Sequence, residues 1–258
     1  MMSVWFVGFL FFLLGLCVGS FLNVVVYRLN HGFSPLRGRS FCPKCKKKIH
    51  WHDNLPLLSF VLLRGRCRFC HSPISWQYPL VELATGVLTL LTVSLSFFAL
   101  KTTGLEVVYH LLVTYALITL FVSDLLYQTL PDEIVYPTLG LVFVWTFFKG
   151  DLLMALLAAL AAAGFFLFLI VVTRGKGMGW GDVKLVGLMG LFLGFPGLVI
   201  ALILAFLTGA TTGVILVLLR KKRLVDQIAF GPFLAGATWI SFFWGQKIWQ
   251  IYVEKVFL

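Results

Sequence analysis

The chain has 258 residues, 60% of them apolar or aromatic and only 12% charged, with a mean hydropathy of +0.98. Those values exclude a disordered chain and a disulfide-rich secreted scaffold, and the charged share is about half that of a soluble globular domain. The net charge of +11 would suggest a nucleic-acid surface in a soluble protein. In a polytopic membrane protein it is first a sign of which loops face the cytoplasm.

A bilayer core takes about 20 apolar residues per helix. Val4 to Tyr27 meets that without an internal charge and is too long for a signal-peptide core. Leu80–Leu100 and Leu105–Tyr127 are the second and third expected spans. Glu133–Phe148 is a short fourth and Leu152–Thr173 the fifth. From Leu185 to Leu219 no charge occurs. Phe195-Pro196-Gly197 divides this stretch, because proline removes a helical donor and glycine permits a tight turn. Spans six (Val183–Gly194) and seven (Leu198–Leu219) result, and Phe233–Ile251 is the eighth. Span six is also short, so seven crossings with a re-entrant segment is the competing count.

Eight crossings put both termini on one side. If the loop after span one is cytoplasmic, that side holds ten Lys/Arg between Arg28 and Arg68. It also holds Arg174, Lys176, Lys184 and the run Arg220-Lys221-Lys222-Arg223. Seventeen of the 21 basic residues then face the cytoplasm, leaving Lys101, Lys149, Lys247 and Lys255 outside. Basic residues flanking spans pair with anionic lipid, which removes the need for a nucleic-acid partner.

The loop from Arg28 to Tyr78 contains Cys42-Pro-Lys-Cys45 and Cys67-Arg-Phe-Cys70, two C-x2-C pairs separated by 21 residues. This is near zinc-ribbon spacing, in which each pair directs two thiolates to one tetrahedral ion. Disulfides are the alternative, disfavoured in a reducing cytoplasm. Redox activity is another, but no thioredoxin-like pattern surrounds the pairs. His50 and His52 are spare ligands to a set that four cysteines already complete. Cys17, inside span one, reads as packing.

Only ten acids occur. Asp124 lies late in span three, with no capping role to explain it. Asp132 follows Pro131 and reads as a helix N-cap. Asp182 ends a run with glycines at 175, 177, 179 and 181 and also has a cap-like position. The bare backbone there lets an extended segment approach its carboxyl. Carboxylates at membrane depth are costly and mark functional sites by default. Two from different helices make an acid–base pair, since close together they do not both ionise easily. No Ser–His or Cys–His set is visible near the spans.

Taken together these residues resemble the bifunctional type IV prepilin peptidases. Gly19-Ser-Phe-Leu-Asn23 through Arg28-Leu is similar to that family's first-span signature. The two CxxC pairs, joined by Asp53-Asn54-Leu-Pro56 and Leu63-Arg-Gly65-Arg-Cys67, resemble its cysteine tetrad. Tyr78-Pro79-Leu-Val-Glu82-Leu follows. Asp124 to Asp132, Gly179-Trp-Gly181-Asp182-Val-Lys184 and Phe230-Gly231-Pro232-Phe233 complete the order. Ala229 stands where a proline is common.

The resemblance implies an all-α membrane bundle of about eight spans in three parts. These are a first span (1–27), a small zinc-ribbon-like cytoplasmic domain (28–79) and an aspartic protease core (80–258). It implies Asp124 and Asp182 as the catalytic pair, with no metal in the proteolysis, while the cysteine spacing makes Cys42, Cys45, Cys67 and Cys70 the expected ligands to a structural zinc. The expected reaction is removal of a basic leader from prepilins or pseudopilins of type IV pili and type II secretion at the cytoplasmic face of the bacterial inner membrane. N-methylation of the new N-terminus from S-adenosylmethionine follows, with Gly65 and Glu82 assigned to that step. A peptidase without methyl transfer and a non-catalytic scaffold or transporter are the alternatives. A basic loop does not attract a basic leader, and Asp53, Glu82, Glu133 and Asp226 are the acids available to offset it.

Overall fold

The computed structural model describes residues 4–35, 37–98, 100–175, 178–219 and 229–257. Lys176, Gly177, Asp226 and the basic run 220–223 lie outside the described residues. The described chain is helical, with no strand beyond two isolated bridges. Eight α-helices form: α1 Val4–Asn30, α2 Leu58–Leu62, α3 Gln77–Phe98, α4 Gly104–Tyr127, α5 Asp132–Lys149, α6 Leu152–Val172, α7 Trp180–Leu218 and α8 Gly231–Phe257.

Five of them (α1, α3, α4, α6 and α7) are long and apolar enough to cross a membrane. The expected spans six and seven form one 39-residue element, α7, interrupted by non-helical backbone at Gly194 (φ 59°) and Phe195. The break falls at the edge of the predicted Phe-Pro-Gly turn because glycine takes the left-handed conformation more cheaply than the residues after it.

The chain divides into two compact units, Met1–Thr119 and Leu120–Leu258, with the boundary inside α4. In the first, α1 packs on α3 through small residues. A Cβ on Gly15 would sit 2.8 Å from the Gly86 Cα, and one on Gly19 would sit 2.8 Å from the Glu82 Cα. Such close approach is how helices associate where lipid supplies no hydrophobic drive. Gly15→Val should therefore destabilise this unit by about 1–3 kcal/mol, read as a lower thermal midpoint in detergent.

On α3, the residues Thr85, Thr89, Thr92 and Ser96 form a fully buried polar row. Thr89 donates to the Tyr115 hydroxyl (3.2 Å), Thr92 pairs with Thr114 (3.3 Å) and Ser96 with His110 Nδ1 (2.9 Å). His110 is thus a hydrogen-bonded member of a helix–helix seam.

In the second unit, α7 packs against α5, α6 and α8. A Cβ on Gly190 would lie 2.5 Å from the Ala159 Cα. At the α7 break, the Ser241 hydroxyl donates to the Gly197 carbonyl (2.6 Å). Interrupted backbone at this depth needs such a partner.

Candidate active site and candidate metal centre

In the second unit, Asp124 and Asp182 line one cavity of about 560 Å³, together with Asp132, Lys184, Gly179 and Phe230. Both aspartates are buried, at 7% and 8% exposed. Asp124 lies one turn from the end of α4. Its Oδ2 accepts the Gly231 N–H at 2.9 Å. Gly231 opens α8, and a Cβ there would fall 2.7 Å from that same oxygen. Only glycine lets the amide come this close. The adjoining Phe230 packs among Phe166, Phe206 and Phe233, which fixes the amide in place.

Asp182 is the third residue of α7, and its Oδ2 accepts the Gly179 N–H at 3.0 Å. This is the returning half of a capping box. The N-cap itself is Gly179, which has no side chain to complete the motif. The Asp182 carboxyl thus satisfies one otherwise orphaned amide and still faces the cavity. Gly181 has an independent reason to be glycine, since a Cβ would lie 3.0 Å from the Leu130 side chain.

Asp132 corrects the cap expectation. Pro131 is the N-cap of α5, with no side-chain cap bond, and Asp132 is the first helical residue. Its Oδ1 instead accepts from Lys184 Nζ at 2.7 Å. Lys184 also lies over the Tyr136 ring, 5.3 Å from its centroid. This partner, 52 residues away, takes the carboxylate from its own helix end.

In the first unit, the four cysteines converge, with all Sγ atoms within 4.8 Å of one another. Cys42 and Cys70 are 3.9 Å apart, and no disulfide joins any of the five cysteines. Tetrahedral zinc with Zn–S bonds of 2.3 Å needs sulfurs about 3.8 Å apart, so the donor set fits that ion. The two knuckles repeat one backbone design. The Cys42 N–H donates to the Lys47 carbonyl and Lys46 N–H returns to the Cys42 carbonyl. Cys67, Ser72 and His71 repeat both bonds. Lys46 and His71 both take left-handed φ, 60° and 54°.

Asp53 clamps the second knuckle by two hydrogen bonds from Arg68, at 2.8 and 2.5 Å. The guanidinium holds its carboxyl below the usual carboxylate range, so the contact stabilises the folded loop fully above that range and is lost only as pH falls through the depressed value beneath it. His50 and His52 stack on one another, 5.3 Å between centroids, and are not in the four-cysteine group.

Gly65 and Glu82 fall at opposite ends of α2. Gly65 (φ 67°) follows the helix, its N–H bonded to the Phe60 carbonyl at 2.8 Å. Buried Glu82 accepts the N–H of Leu57, the N-cap of α2, at 2.8 Å. Near the start of α3 a further buried group, Asn23, donates to the Gly19 and Tyr78 carbonyls. Among the described residues its Oδ1 has no hydrogen-bond partner. Of the acids expected to offset the basic loop, Asp53 is held by Arg68 and Glu82 by a backbone amide.

The sequence alone did not reveal the Gly231 amide or the Lys184–Asp132 pair. The Phe-Gly-Pro-Phe string marked the place of the first without its role.

Comparison with known proteins identifies the family. A model of the bacterial peptidase A24 N-terminal domain matches residues 13–97, and a model of the type IV leader peptidase family matches residues 111–214. A prepilin leader peptidase/N-methyltransferase of Aeromonas hydrophila is 37% identical, across 97% of this chain and 95% of that one. Its namesake from Pseudomonas aeruginosa is 34% identical across 94% and 92%. The Legionella pneumophila protein of the same name is 34% identical across 96% and 95%. No solved structure matches the chain. With relatives this similar over nearly its full length, the chain belongs to the type IV leader peptidase family.

Proposed function

We propose that the protein is a membrane-embedded prepilin leader peptidase and N-methyltransferase, with Asp124 and Asp182 as its catalytic pair. The observation that carries the proteolytic half is the shared cavity. It brings carboxyls from α4 and α7 together, each oriented by a single backbone amide. One carboxylate takes a proton from water as that water attacks the scissile carbonyl. The other carboxyl, protonated, donates to the departing amide nitrogen. No metal is required in this scheme.

The Cys42, Cys45, Cys67 and Cys70 set would hold a structural zinc, whose role is to fold a loop with little apolar core of its own. Purified protein should contain about one zinc per chain. Cys67→Ser should lose that metal and expose the loop to proteolysis, while intact metal content in the variant would refute the assignment.

For methyl transfer, Glu82 offers a buried acceptor suited to a cationic donor molecule, and unpartnered Asn23 Oδ1 offers a second. Gly65 sets the turn that ends α2. S-adenosylmethionine, when bound, supplies the methyl group to the new N-terminal amine. In this reading the protein crosses the bacterial inner membrane about eight times, with both aspartates and the cysteine loop at the cytoplasmic face. Its parts are the first span (1–27), the cysteine domain (28–79) and the protease core (80–258). Its substrates are prepilins and secretion pseudopilins. Mass spectrometry of a prepilin N-terminus after incubation with the reconstituted protein and methyl donor tests both halves. Leader loss with one added methyl group is expected. An uncleaved product contradicts the protease assignment, and a cleaved but unmethylated one contradicts the transferase assignment.

A further inference from the structure

The cysteine loop carries apolar side chains where a soluble domain would bury them. On α2, Leu58, Val61 and Leu62 are 56%, 71% and 72% exposed. Their spacing of i, i+3 and i+4 puts all three on one helical face. Trp76, 70% exposed, packs against Phe60 of the same helix with ring centroids 4.9 Å apart. An exposed apolar face marks an interaction site.

The tether of α2 specifies the partner. Trp76 immediately precedes Gln77, the first residue of α3, a helix able to cross the membrane. The Leu57 N–H at the head of α2 is bonded to Glu82. Glu82 lies five residues into α3, or about 7.5 Å along its axis. The headgroup layer on each side of a bilayer is about 5–8 Å deep. The α2 helix is therefore held at the depth of that layer, beside a tryptophan of the kind enriched there.

Charge points the same way. Between Asn54 and Val81 there is no acid and there are three arginines. Arg68 is engaged by Asp53, whereas Arg64 and Arg66, just after α2, are exposed. We propose that α2 and Trp76 form an interfacial anchor that seats the cysteine loop in the headgroup layer, with Arg64 and Arg66 selecting anionic phospholipid.

The test uses the full chain in liposomes of phosphatidylethanolamine and phosphatidylglycerol. A benzophenone amino acid replaces Leu62 or, as a membrane reference, Leu80, which is 60% exposed on α3. After irradiation, adducts are identified by mass spectrometry. Leu62 should capture phospholipid in a yield similar to Leu80, with phosphatidylglycerol enriched about fivefold over its share of the bilayer. Arg64→Gln with Arg66→Gln should remove the enrichment and leave the adducts. Lipid adducts at position 80 but none at 62, or adducts at 62 only with protein, would overturn the anchor. Equal capture of the two lipids, or enrichment that survives the double substitution, would overturn the anionic selection.

Discussion

Asp124→Asn and Asp182→Asn should each lower the rate of leader cleavage by roughly 10³-fold or more, the scale of a lost general acid or base. An amide preserves the size of each side chain and can still accept the single backbone hydrogen bond each carboxyl now takes, from Gly231 and from Gly179. The fold should therefore survive and the proton chemistry should not. Because the two groups act as a unit, the double variant should be little worse than either single one. Cleavage of a full-length prepilin in proteoliposomes, with the thermal midpoint as the folding control, measures both.

Gly231→Ala should have the next largest effect. The added methyl would be placed 2.7 Å from Asp124 Oδ2, well inside van der Waals contact, so the carboxyl or the start of α8 must move. Displacing a catalytic group by about 1 Å can cost on the order of 100-fold in rate. The loss should appear in kcat, with KM nearly unchanged, because the substitution disturbs a reacting group rather than a binding surface. Gly236 lies in the same helix with open space at its Cβ position. Gly236→Ala is thus the matched control and should cleave normally. A Gly231→Ala protein with wild-type kcat would show that the amide does not position Asp124.

The difference between what the sequence disclosed and what it concealed is one of contact range. Hydrophobic runs located α1, α3, α4 and α6 to within a few residues, because apolar length is set locally by the bilayer; α5 fell close to its expected bounds, and α8 runs six residues past its expected end. The Phe195-Pro196-Gly197 string announced the break in α7, although the conformational change is taken up by Gly194 and Phe195. Cysteine spacing announced the tetrad, since each knuckle is closed within a few residues. The site's supporting bonds are different. Gly231 reaches Asp124 across 107 positions, and Lys184 reaches Asp132 across 52. No periodicity encodes either pair. Asp132 shows the consequence: its place after Pro131 fits a cap, but its carboxylate is bonded to the distant Lys184 instead. Glu82 is similar, for a motif position became a buried acceptor of the Leu57 amide once α1 and α3 were packed.

The measurement closest to the central claim is cleavage of one prepilin, quantified side by side, by wild-type protein, Asp124→Asn, Asp182→Asn and Cys67→Ser in the same membranes. The paired-aspartate account predicts that both asparagine variants, folded as the wild type, leave the leader attached, while Cys67→Ser still removes it. Cleavage by either asparagine variant within about tenfold of the wild-type rate would contradict it, being far below the loss expected for a general acid or base.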